Sequence, residues 1–151
     1  MGPEKHLASG IALGASCYAI NGKAGPALTA MASAVLCDLD HLLEYGWHCV
    51  KYRKKTRLEE FLSGNYFEEK GKICVIFHAY EYLIGLAILF AVAVKQKRDS
   101  RYYIGAGMVG YGLHLLLDTV GNDCTARGYF IVYRWKRSWK LWEICKGKDR
   151  K

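Results

Sequence analysis

Proline is nearly absent from this 151-residue chain: Pro3 and Pro26 are the only two, so most of its length carries nothing that breaks a helix. Acidic residues are scarce beside basic ones, 14 against 22, which leaves a formal charge of +8. No C-x-x-C pair occurs among the cysteines at 17, 37, 49, 74, 124 and 145. Their scatter argues against a disulfide framework and for free thiols in a reducing compartment. There is no internal repeat, no nucleotide-binding loop, no sugar platform and no DNA- or RNA-binding fingerprint. Nucleic acid is therefore not the expected partner of the basic excess, and the length suits one domain over 1–151.

Four weakly charged, apolar runs are present instead, over 7–20, 27–37, 73–94 and 102–117. The first two are too short to cross a bilayer as helices, since 14 residues rise only ~21 Å against a ~30 Å hydrocarbon core. The run 73–94 is long enough if wholly helical, and Glu81 is its single formal charge. Small residues four apart, Gly10 with Gly14 and Ala30 with Ala34, suit close helix contact of the kind membrane helices use. A buried soluble bundle produces the same pattern, but the flanking basic clusters favour anionic lipid headgroups. Those clusters are Lys51–Arg57, Lys95–Arg101 and a tail from Arg134 to Lys151. Lys5 with the run 7–20 imitates a signal peptide, but Leu13-Gly14-Ala15-Ser16 is a poor cleavage site before Cys17, and the N-terminus is expected to be retained.

Residues 42–72 are polar and basic, with a short helix expected over Arg57–Leu62. Trp135, Trp139 and Trp142 recur at helical spacing in 129–145, which predicts an amphipathic C-terminal helix lying at a membrane surface. The expected fold is all-α, an antiparallel bundle of about four core helices plus this C-terminal helix.

Imidazoles and carboxylates gather at the ends of the four runs. They are His6, Asp38-Leu39-Asp40-His41, His78-Ala79-Tyr80-Glu81 and His114-Leu115-Leu116-Leu117-Asp118. Antiparallel neighbours carry all four groups to one side. His114 and Asp118, one turn apart, share a helix face. Asp38, Asp40 and His41 put three ligand-type side chains within four residues, and one Asp is enough to cap a helix. Glu81 lies in the most apolar run, where an unpaired carboxylate is costly. Such side chains from several helices are the usual materials of a zinc or two-metal site. Asp38, His41, His78, His114 and Asp118 are expected to hold the ion, with His6 peripheral. Asp40 and Glu81 are expected to bridge or to serve as the general base. Mixed nitrogen and oxygen donors favour zinc, one ion or two, with manganese or iron as substitutes.

The order His…Asp-x-Asp-His…His…His-x-x-x-Asp resembles the family of membrane-bound metal-dependent hydrolases of bacteria and archaea. Cys37-Asp38-Leu39-Asp40-His41 answers that family's Pro-Asp-x-Asp-His motif, and Gly110–Asp118 answers its His-Leu-Leu-Leu-Asp helix. Gly128-Tyr129-Phe130-Ile131-Val132-Tyr133-Arg134 is similar to the segment that follows the last helix in one branch. Cys37 replaces the proline, and the family's His-Arg-x-x-Thr-His element is absent, with Phe77-His78-Ala79-Tyr80-Glu81 in its place. The ligand order also echoes zinc-dependent phospholipase C. The resemblance implies hydrolysis, with a phosphoester as the leading substrate class by analogy. The substrate is expected to be small or lipid-like, with membrane lipids as surroundings. Seventeen of the 22 basic residues fall on the side of the clusters, which places the site at the cytoplasmic face of the membrane. The rival expectation is a non-enzymatic integral membrane protein. In it the polar clusters are caps and buried pairs, and the basic faces bind lipid or a partner.

Overall fold

A computed structural model describes residues 2–122 and 124–145. Four longer helices form the bundle: α1 (Pro3–Asn21), α2 (Ala24–Val35), α6 (Tyr80–Lys95) and α7 (Ser100–Gly121). Between α2 and α6 lie α3 (Leu39–Tyr52), α4 (Leu58–Ser63) and α5 (Asn65–Lys70), and α8 (Ile131–Lys136) and α9 (Leu141–Ile144) follow α7. The described residues contain no strand, only isolated bridges, and the fold is all-α.

Small residues decide how the bundle packs. The buried stripe of α1 is His6, Gly10 and Gly14, that of α2 includes Ala27, Ala30 and Ala34, and that of α7 includes Gly107, Gly110, His114 and Asp118. These positions recur every three or four residues, so each stripe is one helix face. A Cβ on Gly14 would meet the Ala27 carbonyl oxygen at 3.1 Å, and one on Gly110 would collide with the Ala30 carbonyl. Backbones at such distances are possible only where side chains are missing. Helix α2 is the centre of the packing, with α1 on one side and α7 on the other.

Helix α6 packs on α7 and buries only Ala93 of its own residues. Ile84, Ile88, Leu89, Val92 and Val94 stay exposed, as do Leu7 and Ile11 of α1 and Leu28 of α2. Exposed apolar side chains at this density on one helix, as on α6, are typical of an interaction face. The run 73–94 is not one helix, however. Residues 73–79 are irregular, and the helix begins only at Tyr80. Arg134 donates to the carbonyls of Val75 and His78, the latter at 2.8 Å, and Tyr111 engages the carbonyls of Phe77 and Ala79 at 2.6 and 2.7 Å. Those bonds satisfy the backbone groups that a helix would otherwise pair. The expected transmembrane helix is thereby corrected to 16 residues, a rise of ~24 Å. No helix among the described residues is long and apolar enough to cross a membrane.

The C-terminal segment also departs from expectation. The helix predicted over 129–145 is divided into a 3-10 turn at Ala126–Tyr129 and the short α8 and α9. Ser138 and Trp139 adopt left-handed backbone conformations, φ 52° and 60°, which end α8 and break the tryptophan stripe. The basic tail is described only to Cys145, and its residues 146–151 lie outside the described residues. A second correction concerns the cysteines, of which Cys124 and Cys145 form a disulfide. Backbone pairing of Thr125 with Ile144 at 3.2 Å brings the two Cα atoms to 3.7 Å, a proximity that scattered spacing does not reveal.

The packing makes a prediction. Gly110→Ala forces α2 and α7 apart and should cost about 1–3 kcal/mol. Gly85→Ala, where an added Cβ meets nothing within 4 Å, should gain about 0.5–1 kcal/mol from helix propensity. Thermal unfolding of the two variants in detergent reads the contrast, and equal melting temperatures would contradict the packing account.

Candidate metal centre

The buried stripes of α1, α2 and α7 run toward one end of the bundle, and each terminates in a ligand-type side chain. His6 sits in the first turns of α1, Asp38 in the 3-10 turn joining α2 to α3, and His114 and Asp118 near the end of α7. His78 enters from the irregular segment before α6. The structure brings these five together. Asp118 Oδ1 lies 3.0 Å from His6 Nε2, and its Oδ2 lies 3.3 Å from His78 Nε2 and 3.5 Å from His114 Nε2. Asp38 Oδ1 is 3.3 Å from His78 Nε2 and 3.7 Å from His114 Nε2. The His6 ring stacks on that of His114 at 4.0 Å.

Hydrogen bonds settle which ring nitrogens face inward. His114 Nδ1 donates to the Ala34 carbonyl at 2.8 Å. His78 Nδ1 is 3.2 Å from Asp40 Oδ2, which also accepts the Phe77 amide at 2.6 Å. Both Nδ1 atoms therefore carry hydrogen, and in neutral rings both Nε2 atoms present lone pairs. Those two Nε2 atoms are 2.9 Å apart. Two lone pairs at that distance repel unless a proton or a cation lies between them.

The electrostatics agree with that requirement. Burial opposes charge on His78, but hydrogen bonds to Asp38 and Asp40 outweigh it and raise the ring well above its ordinary value. Burial likewise opposes charge on His114, and the Asp118 and Cys37 hydrogen bonds raise it to about 10. The short separation admits one proton for the pair. Burial alone would raise the Asp118 carboxyl, yet hydrogen bonds to His114 and His6 hold it far below the carboxylate range. Asp38 is lowered in the same way: burial raises it, and the His78 hydrogen bond and the His114 and His78 charges prevail. The centre is thus built to hold positive charge between carboxylates.

His41 forms a further metal-compatible group with Asp38 and His78, and Asp40 lies beside this core. Asp40 stands behind His78 and orients its ring, the outer-shell arrangement common to metal-binding histidines. His41 Nε2 is 3.8 Å from Asp38 Oδ1, and burial, then the charge of His78, pushes the ring down to about 4. Both Asp38 and His41 line a cavity of about 390 Å³ that reaches Asp118 and is walled by Phe61, Phe67 and Leu141.

Glu81 is placed elsewhere. Its Oε1 accepts the Val132 amide at 3.2 Å, tying α6 to the C-terminal segment, and none of the metal-compatible groups of the described residues includes it. The physical reason is register. His78 precedes the helix that begins at Tyr80, so residues 78 and 81 do not share a helix face. Cys37, in contrast, was not anticipated. Its Sγ shares a buried group with His78 and His114. The available signal was its place next to Asp38, where the resembled motif carries proline. His48, Glu60 and Glu69 form a separate group, and Lys54 pairs with both of its carboxylates.

Residues 1–146 match the model of the YdjM inner membrane protein family, and the chain belongs to that family. No curated protein and no solved structure matches the chain.

A pH dependence follows for the metal-free protein. His114, raised from 6.5 to about 10, contributes stability that is complete below about pH 6.5 and lost as pH rises through about 10. Thermal unfolding of metal-free protein should therefore show declining stability from pH 6.5 to 10. Replacing both rings, His78→Asn/His114→Asn, should flatten that limb, and an unchanged slope in the double variant would refute the assignment.

Proposed function

We propose that this protein is a membrane-associated hydrolase that uses one or two divalent ions, zinc foremost, to cleave a phosphoester with an apolar substituent. The observation that carries the reading is the 2.9 Å approach of two inward-facing imidazole nitrogens, ringed by Asp38 and Asp118. The donor set fits such an ion: His78, His114, Asp38 and Asp118 offer two nitrogens and two carboxylates, and their outer partners already fix the rings. Asp118 turns one oxygen to His6 and the other to the histidine pair, as a carboxylate shared between two ions does. When bound, an ion of this kind lowers the pKa of a water and polarises a phosphoryl or acyl oxygen.

The chain's own side chains supply the rest. Asp40 keeps His78 in one tautomer and one orientation. His41 lines the cavity beside Asp38 and forms a metal-compatible group with Asp38 and His78, so it would add an imidazole to the donor set. Phe61, Phe67 and Leu141 take up the apolar part of the substrate and exclude water from its side of the cavity. The uncovered face of α6 rests against lipid, in keeping with an inner membrane family. The basic excess puts the site, in this reading, at the cytoplasmic face. Glu81 has no part in the chemistry here and acts as a tie to the C-terminal segment.

The test is elemental analysis of protein purified without added ion, joined to turnover on phosphomonoesters and phosphodiesters. Wild type should retain ion, and His114→Ala/Asp118→Ala should lose it. Chelation should lower the melting temperature of wild type and leave that double variant unmoved, because an ion held only by the native state stabilises it by mass action. His41→Gln should weaken ion retention by about 10-fold or more. Full turnover after complete removal of metal would overturn the reading.

A further inference from the structure

The nitrogen and oxygen donors leave one buried side chain at the centre without a role. Cys37 lies in the 3-10 turn Leu36–Asp38, immediately before the carboxylate that faces His78. It is 5% exposed, and its Sγ and one nitrogen each from His78 and His114 lie within 4.8 Å of one another, all three side chains being buried. The thiol donates to the Phe77 carbonyl at 3.1 Å, the residue next to His78, so the sulfur is fixed on the side from which that ring enters. Packing alone does not call for sulfur here, since Ala34, one turn earlier on the same approach, is a plain methyl. The other described thiols lie apart from this group, and Cys124 and Cys145 are bonded to each other.

We propose that Cys37 is itself a metal ligand, so that the ion is held by one thiolate, two imidazoles and a carboxylate. The inference rests on the metal reading above and changes its chemistry. As the metal–sulfur bond forms, the thiol proton leaves to solvent, as metal binding to cysteine requires. A sulfur donor makes the site softer, selecting zinc over manganese and magnesium. Asp38 stays beside both rings and also lines the cavity with His41.

Cobalt(II) alone, titrated into metal-free full-length protein in detergent, tests this without any substrate. Wild type should show visible ligand-field bands of a low-coordinate site together with a near-ultraviolet thiolate-to-cobalt band. Cys37→Ser should keep the visible bands and lose the near-ultraviolet one, while Cys49→Ser and Cys74→Ser keep both. In competition, zinc affinity of Cys37→Ser should fall by at least about 10-fold, with manganese affinity little changed. Visible bands in wild type without the charge-transfer band overturn the cysteine ligand and leave the metal site standing. So does a charge-transfer band that survives in Cys37→Ser. Absence of every cobalt band in wild type overturns the site itself. The wild-type spectrum alone can refute the ligand, so a variant that fails to fold does not shield it.

Discussion

Two imidazole nitrogens held 2.9 Å apart, with both partner nitrogens already donating, impose the constraint on which this structure depends. Left neutral, the pair is repulsive. Left protonated, it competes with burial. Flanking carboxylates at 3.3 to 3.7 Å tip the balance toward bound positive charge. A proton satisfies the pair in the metal-free protein, and a divalent ion satisfies the pair and both carboxylates together. On the proposed reading the second arrangement would engage the imidazole pair and its flanking carboxylates at once. An N-cap role for Asp38 is not what the structure contains, because its side chain makes no cap hydrogen bond to α3.

The constraint reaches outward through the packing. Histidines on α1 and α7 can stack at 4.0 Å only if both helices stand close to α2, and that closeness comes from Gly10, Gly14 and Gly110 facing backbone carbonyls of α2 and Gly107 facing Thr29 and Ser33. The same glycines that suggest membrane-type packing thus set the spacing of the candidate metal site. On the opposite flank, buried Arg134 and Tyr111 hold residues 75–79 out of a helix, and His78 is aimed inward as a result. Arg134 keeps its place at the cost of desolvating a guanidinium, which lowers its pKa. Fold and site are therefore one set of contacts.

Much of this was legible in the sequence, for identifiable reasons. Helical periodicity and the near absence of proline indicate an all-α bundle, and the alternation of run ends indicates that His6, Asp38, His114 and Asp118 meet. What periodicity cannot report is where a helix starts. The run 73–94 reads as continuous because six of its first seven residues are apolar, yet side chains distant in sequence, Tyr111 and Arg134, capture their carbonyls. From that one displacement come the lost membrane span, the removal of Glu81 from the centre and the outer position of Asp40 behind His78. Cys37 and the Cys124–Cys145 disulfide were missed for a related reason. A cysteine's partners are spatial, and spacing alone carries no trace of them.

The central claim is that His78 and His114 share an ion through Nε2, and an anomalous difference map recorded at the metal absorption edge tests it most directly. Crystals grown from protein never exposed to added metal should give a peak between the two Nε2 atoms, within bonding reach of an Asp118 oxygen. A peak confined to the His48, Glu60 and Glu69 group, or none at all with the two rings still facing each other, would contradict the account.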